Sequence, residues 1–177
     1  MHKRALAALA TAAGLLLALA APAQAAPAPG TYTVTAAHSG KCLDLWDSSA
    51  ENGTALVQNT CDGRPSQRFT LVEYSNAPGT YAIRTFAGKC LTRGMYASTT
   101  EPVRQRSCVY DLSQAFKFGA HHPWPGEVIF SLNWAGERNF CFHVGQASTS
   151  DGATVLTHAC NPQGSGARND TFTFQPA

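Results

Sequence analysis

A chain of 177 residues, 44% hydrophobic and 14% charged, has the length of one domain with a core of its own. It carries 13 Lys+Arg against 11 Asp+Glu, but Lys3 and Arg4 stand at the extreme N-terminus, so the rest of the chain holds 11 of each sign. That balance leaves no cationic excess for a phosphate backbone, and nucleic acid is not an expected partner.

The first element is a leader. His2-Lys3-Arg4 is a basic start, Ala5 to Ala21 is almost wholly Ala, Leu and Gly, and Ala23-Gln24-Ala25 is a small-x-small cleavage signal. This is the pattern of a secretory signal peptide over residues 1–25. A membrane anchor is the competing reading, but the apolar run is at the short end for a span and no stop-transfer signal follows it. Expected, therefore, is an exported domain over 26–177 with no membrane association. All six cysteines fall in that part, and export makes an even count read as disulfides.

Beyond the leader the chain repeats itself. Pro29-Gly30-Thr31-Tyr32-Thr33-Val34 is matched by Pro78-Gly79-Thr80-Tyr81-Ala82-Ile83 and by Pro125-Gly126-Glu127-Val128-Ile129-Phe130. Each is a Pro-Gly turn feeding a β-branched or aromatic run, which is how a strand begins. Gly40-Lys41-Cys42-Leu43 recurs as Gly88-Lys89-Cys90-Leu91 and, eroded, as Arg138-Asn139-Phe140-Cys141-Phe142. The copies run over about 29–77, 78–124 and 125–177.

The cysteines are separated by 19, 18 and 19 residues within the copies, so the repeat selects one pairing: Cys42–Cys61, Cys90–Cys108 and Cys141–Cys160. Closing such a loop stabilises by roughly 3 kcal/mol in the chain-entropy model. A short apolar stretch precedes each second cysteine, at Leu56-Val57, Val103-Arg104 and Val155-Leu156. Period-two segments follow it, at Phe69-Thr70-Leu71, Phe116-Lys117-Phe118 and Phe172-Thr173-Phe174. Each copy thus holds about four short strands and no helix. One copy cannot bury its own apolar face, whereas three around a shared axis can. The expected fold is all-β with threefold pseudo-symmetry.

Three copies of this kind, each with a first cysteine on a strand (Cys42-Leu43, Cys90-Leu91 and Cys141-Phe142) and a second cysteine, resemble the ricin-B-type lectins. The first copy carries the likeness best, through Cys42-Leu43-Asp44-Leu45, Asn52-Gly53-Thr54, Cys61 and Gln67-Arg68-Phe69. The resemblance spans Pro29 to Phe174 and implies a β-trefoil, with Gln67, Gln114 and the three Phe residues serving the scaffold. It also implies where a sugar would sit. A carboxylate or amide accepts hydrogen bonds from adjacent hydroxyls, and an aromatic face stacks on the C–H side of the ring.

In the first copy those positions hold Asp44, Asn59 and Ser66, beside Gln67. Trp46, two residues past Asp44 and on the same face by period two, is a candidate stacking platform, or else a residue packing a loop. Asp47 and Asp62 complete the candidate carbohydrate site. The second copy has Thr92, Arg106 and Ser113 in the corresponding slots and reads as lacking a family-like pocket, although Arg93 and Arg106 would suit an anionic group. The third has His143 and His158, with Asn161 after Cys160, which are expected to form a weaker secondary site; Asp170 replaces the Gln. The two histidines do not match a zinc signature, and no metal is expected. His121-His122-Pro123-Trp124-Pro125 reads as a connector.

No G-x-S-x-G, H-E-x-x-H, P-loop or G-x-G-x-x-G occurs, and every cysteine is assigned to a bridge. No catalytic residue and no cofactor is therefore expected. The leading expectation is a secreted, monomeric carbohydrate-binding module whose ligand, by resemblance, is a galactose- or xylose-containing polysaccharide. The alternative is a trefoil that has lost sugar binding and acts on a protein partner, as an inhibitor or secreted effector.

Overall fold

The computed structural model describes residues 26–94, 101–120, 125–132, 138–160 and 168–177. The expected leader over 1–25, residues 121–124 of the expected connector and Asn161 lie outside the described residues.

The first copy forms β1 (Gly30–Ala36), β2 (Cys42–Leu45), β3 (Leu56–Asn59) and β4 (Arg68–Glu73). The second forms β5 (Tyr81–Arg84), β6 (Cys90–Thr92), β7 (Glu101–Pro102), β8 (Arg104–Arg106) and β9 (Phe116–Gly119). The third forms β10 (Val128–Leu132), β11 (Arg138–Val144), β12 (Ala153–Ala159) and β13 (Phe172–Pro176). The outer strands of the copies pair in a ring: β1 with β4, β4 with β5, β5 with β9, β9 with β10, and β13 with β1. The ring closes through a bridge between Glu127 and Phe172. Closure removes the edges that an open sheet would expose.

The inner strands form three hairpins, β2–β3, β6–β8 and β11–β12, that cap one end of the ring. The hairpins join one another at Ala153–Gln58, Leu156–Pro102 and Ala55–Arg104. Leu56, Val103 and Val155 meet where the hairpins converge, each 0% exposed. The Leu56 N–H donates to the Val103 carbonyl at 2.8 Å, and the Val103 N–H to that of Val155 at 2.9 Å. This contact also interrupts the second copy's inner strand between β7 and β8, because the Val103 amide is spent on the third copy. The arrangement is the expected β-trefoil.

Phe69, Phe116 and Phe172 are all buried in one core with Leu45, Leu71, Ile129 and Phe142. The three disulfides are those the spacing selects. The repeated Gly-Lys-Cys-Leu also has a backbone reason. Gly40 and Gly88 have φ of +68° and +69°, the left-handed region that a side chain disfavours. Each opens the strand that carries its cysteine.

A pair of buried glutamines, unanticipated from the sequence, ties the copies together. Gln58 and Gln105 each stand three residues before a second cysteine and are 0% exposed. Gln58 Nε2 donates to the carbonyls of Ser148 and Ser150 in the third copy, at 2.7 and 3.1 Å. Gln105 Nε2 donates to those of Ser49 and Glu51 in the first, at 2.9 and 2.8 Å. Their Oε1 atoms accept from Ser39 and Thr85 hydroxyls, so each amide is satisfied at both ends.

Candidate functional site

The first-copy residues expected to bind sugar do converge. Asp44, on β2, is 0% exposed, and its carboxylate is held from three directions. Oδ1 accepts the Leu45 N–H at 2.8 Å, while Oδ2 accepts Asn59 Nδ2 at 3.0 Å and Gln67 Nε2 at 3.3 Å. Gln67 is itself fixed: Nε2 donates to the Thr60 carbonyl at 2.9 Å, and Oε1 accepts the N–H groups of Asp62 and Gly63. A charged group this far from water persists because three hydrogen bonds satisfy it. Gln67, buried as well, orients Asp44 and presents no surface of its own.

Trp46 is 56% exposed, the proportion of a platform rather than of a core residue. β2 ends at Leu45, and Trp46 opens a 3-10 turn over Trp46–Ser48, so the period-two relation to Asp44 stops one residue short. The turn nonetheless brings its ring to the site. A Cβ placed on Gly152 would stand 3.1 Å from Trp46 Cζ3, and the Gly152 N–H donates to Asn59 Oδ1 at 2.9 Å. Trp46, Gly152, Asn59 and Asp44 are thus contiguous, and the third copy supplies part of the floor. Asp47 is exposed in the same turn, with a left-handed φ of 53°.

Asp62 is engaged by Arg64, whose Nε lies 2.9 and 2.7 Å from its two oxygens and whose Nη2 also contacts it. These hydrogen bonds hold the Asp62 carboxyl below its ordinary range. Arg64 Nη1 reaches to 3.9 Å from Asp44 Oδ2, so the guanidinium lies over the buried carboxylate. Sequence reasoning missed Arg64, since nothing in its spacing marks it. Its position depends on the turn before the Pro65–Gln67 3-10 segment.

The second copy repeats the scaffold without the acid. Gln114 Nε2 donates to Thr92 Oγ1 at 3.0 Å and to the Ser107 carbonyl at 2.9 Å, and Oε1 accepts the Val109 and Tyr110 N–H groups. Where the sequence reads as lacking a pocket there is a cavity of about 520 Å3, lined by Thr92, Arg93, Arg106, Val109 and Asp111 among others.

In the third copy, His143 and His158 pack edge to face with ring centroids 4.0 Å apart. They fill the space between themselves, and no sugar ring fits there in this arrangement. Burial, and secondarily the facing His158, push the His143 pKa down to about 4; burial lowers that of His158 too. Asp170 opposes both shifts. Among the described residues no three His, Cys, Asp or Glu side chains converge as a metal site would require.

Residues 23–92 match the family described as ricin-type beta-trefoil lectin domain-like, a segment that contains the whole first copy. The fold is a β-trefoil, and its first copy is similar to the ricin-type lectin domains. The designed threefold-symmetric protein ThreeFoil superposes on it with a TM-score of 0.70 and 26% identity, over 82% of this chain and 97% of that one. The agglutinin of Rhizoctonia solani gives 0.70 and 18%, over 88% and 100%. The earthworm R-type lectin C-half, solved with GalNAc, gives 0.58 and 16%, over 83% and 98%. No curated protein matches the trefoil in sequence. No helix among its described residues is long and apolar enough to cross a membrane.

Proposed function

We propose that the trefoil is a secreted carbohydrate-binding module whose principal site is in the first copy. The observation that carries this reading is Asp44. Its carboxylate is oriented by Gln67, Asn59 and a backbone N–H, and Asn59 in turn accepts from Gly152, against which the exposed ring of Trp46 lies. Asp44 accepts hydrogen bonds from two neighbouring sugar hydroxyls, Trp46 takes the C–H face of the ring, and Asn59, Asp47 and Asp62 border the ligand. Arg64 must swing outward to admit it, a movement eased by its exposure. The family match over this copy supports the assignment, as does the GalNAc held by the earthworm lectin. A galactose- or xylose-containing polysaccharide is the ligand class favoured. One such site binds at about millimolar strength, roughly −4 kcal/mol, and gains on a polymer through repeated contacts.

The test is retention of the mature, disulfide-intact protein in gels or on beads carrying galactan or xylan, with Asp44→Ala alongside. Loss of retention in the variant supports the site; equal retention refutes it. The closed first site and the self-filled third site favour one second reading, in which the trefoil binds a protein instead. Absence of retention on every glycan tried would turn the assignment to that reading.

A further inference from the structure

We propose that the cavity of the second copy recognises an acidic sugar, its carboxylate or sulfate ester taken by Arg93 and Arg106 while Thr92 and Val109 meet the ring. The inference rests on the carbohydrate reading above and extends it to a second, chemically different subsite.

Arg93 supplies the first observation. It directly follows β6, and the residue is 8% exposed. Nη1 donates to the Gly94 carbonyl at 3.1 Å, and the guanidinium carbon lies 5.8 Å from the centre of the Phe140 ring. Nε is buried and has no acceptor. A buried cationic donor without an acceptor is costly; Asp111 and Glu101 offset it electrostatically, and an anion entering the cavity that Arg93 lines would add to that.

The second observation is the cavity's own chemistry. Its volume of about 520 Å3 is in the ordinary range for small-ligand sites. Arg106, exposed on β8, lines it with Arg93, so two guanidinium groups border one space. The planar fork of a guanidinium matches a carboxylate or sulfate face.

Asp111 lines the cavity too, but its Oδ1 already accepts from the Ser113 N–H and hydroxyl, at 2.8 and 2.5 Å. Glu101 and Arg104 border an adjoining space on the other side of Arg93 and Arg106. Two cations against Asp111 leave one positive excess among the charged residues that line the cavity, while Glu101 also acts on Arg93 from the adjoining space, so the site suits one acidic group and not a polyanion. Val109, 65% exposed, gives an apolar lip for the C–H face, and the Thr92 hydroxyl gives the floor a polar contact.

The experiment titrates the intact mature protein with a galacturonate trimer, its methyl-esterified neutral counterpart and a sulfated galactose disaccharide, followed by calorimetry and amide NMR shifts. Expected is binding of at least one acidic ligand about tenfold tighter than the ester, as a charge-assisted hydrogen bond would give. Shifts should centre on Thr92, Arg93 and Arg106, and the preference should vanish in Arg106→Gln. Whichever acidic ligand binds identifies carboxylate or sulfate as the natural group. Equal affinity for acid and ester, or an unchanged preference in Arg106→Gln, overturns the inference; because Arg106 is exposed, that variant folds even if Arg93→Gln does not. Neutral-polysaccharide retention measured in parallel separates the two readings. If it persists without acid selectivity, the second subsite alone fails; if no glycan is retained, the carbohydrate reading fails with it.

Discussion

Replacing Gln67 with Leu tests how the site and the scaffold share one side chain. Gln67 makes four hydrogen bonds: to Asp44 Oδ2, to the Thr60 carbonyl, and from the N–H groups of Asp62 and Gly63. Asp62 and Gly63 are exposed, and their amides can turn to water. The cost therefore falls on the Thr60 carbonyl and on Asp44, whose buried charge loses one of its two amide donors. An uncharged bond contributes about 1 kcal/mol net and one to a charged group about 1.5–3, so a loss of about 3 kcal/mol is expected. At about 2–4 °C per kcal/mol for a domain of this size, the melting temperature should fall by about 6–12 °C. Gln114→Leu is the matched control. It breaks the same network, but with the Thr92 hydroxyl in place of the carboxylate. Its loss should be smaller by about 1 kcal/mol. Guanidinium and thermal melts under non-reducing conditions measure both. A change below about 0.5 kcal/mol for Gln67→Leu, or equal losses for the two variants, would refute the reasoning that Asp44 depends on this amide.

Arg64→Ala removes an exposed ion pair and should change stability by less than about 1 kcal/mol. By uncovering Asp44 it should raise affinity for neutral glycans a few-fold; a clear loss would make Arg64 a ligand contact instead of a cover. His143 should titrate near pH 4 in its imidazole proton shifts, with His158 also below the ordinary value. A folded-state pKa beneath the unfolded 6.5 means that the unfolded chain protonates first. Stability should then decline as pH falls from about 6.5 toward about 4, by about 2 kcal/mol after solvent screening. His143→Gln should remove most of that dependence, and an unshifted His143 titration would contradict the packed pair. Trp46→Ala should weaken retention on polysaccharide without lowering the melting temperature, since the ring is 56% exposed. Unchanged retention would remove Trp46 from the site.

Much of the scaffold could be read from spacing. Near-equal cysteine intervals and the recurring Phe69, Phe116 and Phe172 report positions that a threefold core must fill alike, and pseudo-symmetry turns three weak signals into one strong one. Gln58 and Gln105 were legible by the same rule, three residues before a second cysteine, yet the third copy has Thr157 there and the pattern broke. Asp44 and Asn59 sit on strands, where register fixes direction, and Gln67 sits just before β4 at a position that the resemblance marks. Trp46 and Arg64 lie on turns, and strand periodicity does not extend to a residue with a 3-10 or left-handed neighbour. The second-copy cavity was hidden for a different reason. Loss of the family's Asp signals loss of a neutral-sugar pocket, but the volume belongs to the fold, and Arg93 and Arg106 change its chemistry without filling it.

The most direct measurement is a crystal structure of the mature protein with the neutral oligosaccharide that it retains most strongly. The ring should lie on Trp46 with two hydroxyls on the Asp44 carboxylate and Arg64 turned away. A ligand bound elsewhere, with Arg64 still over Asp44, would contradict the first-copy site.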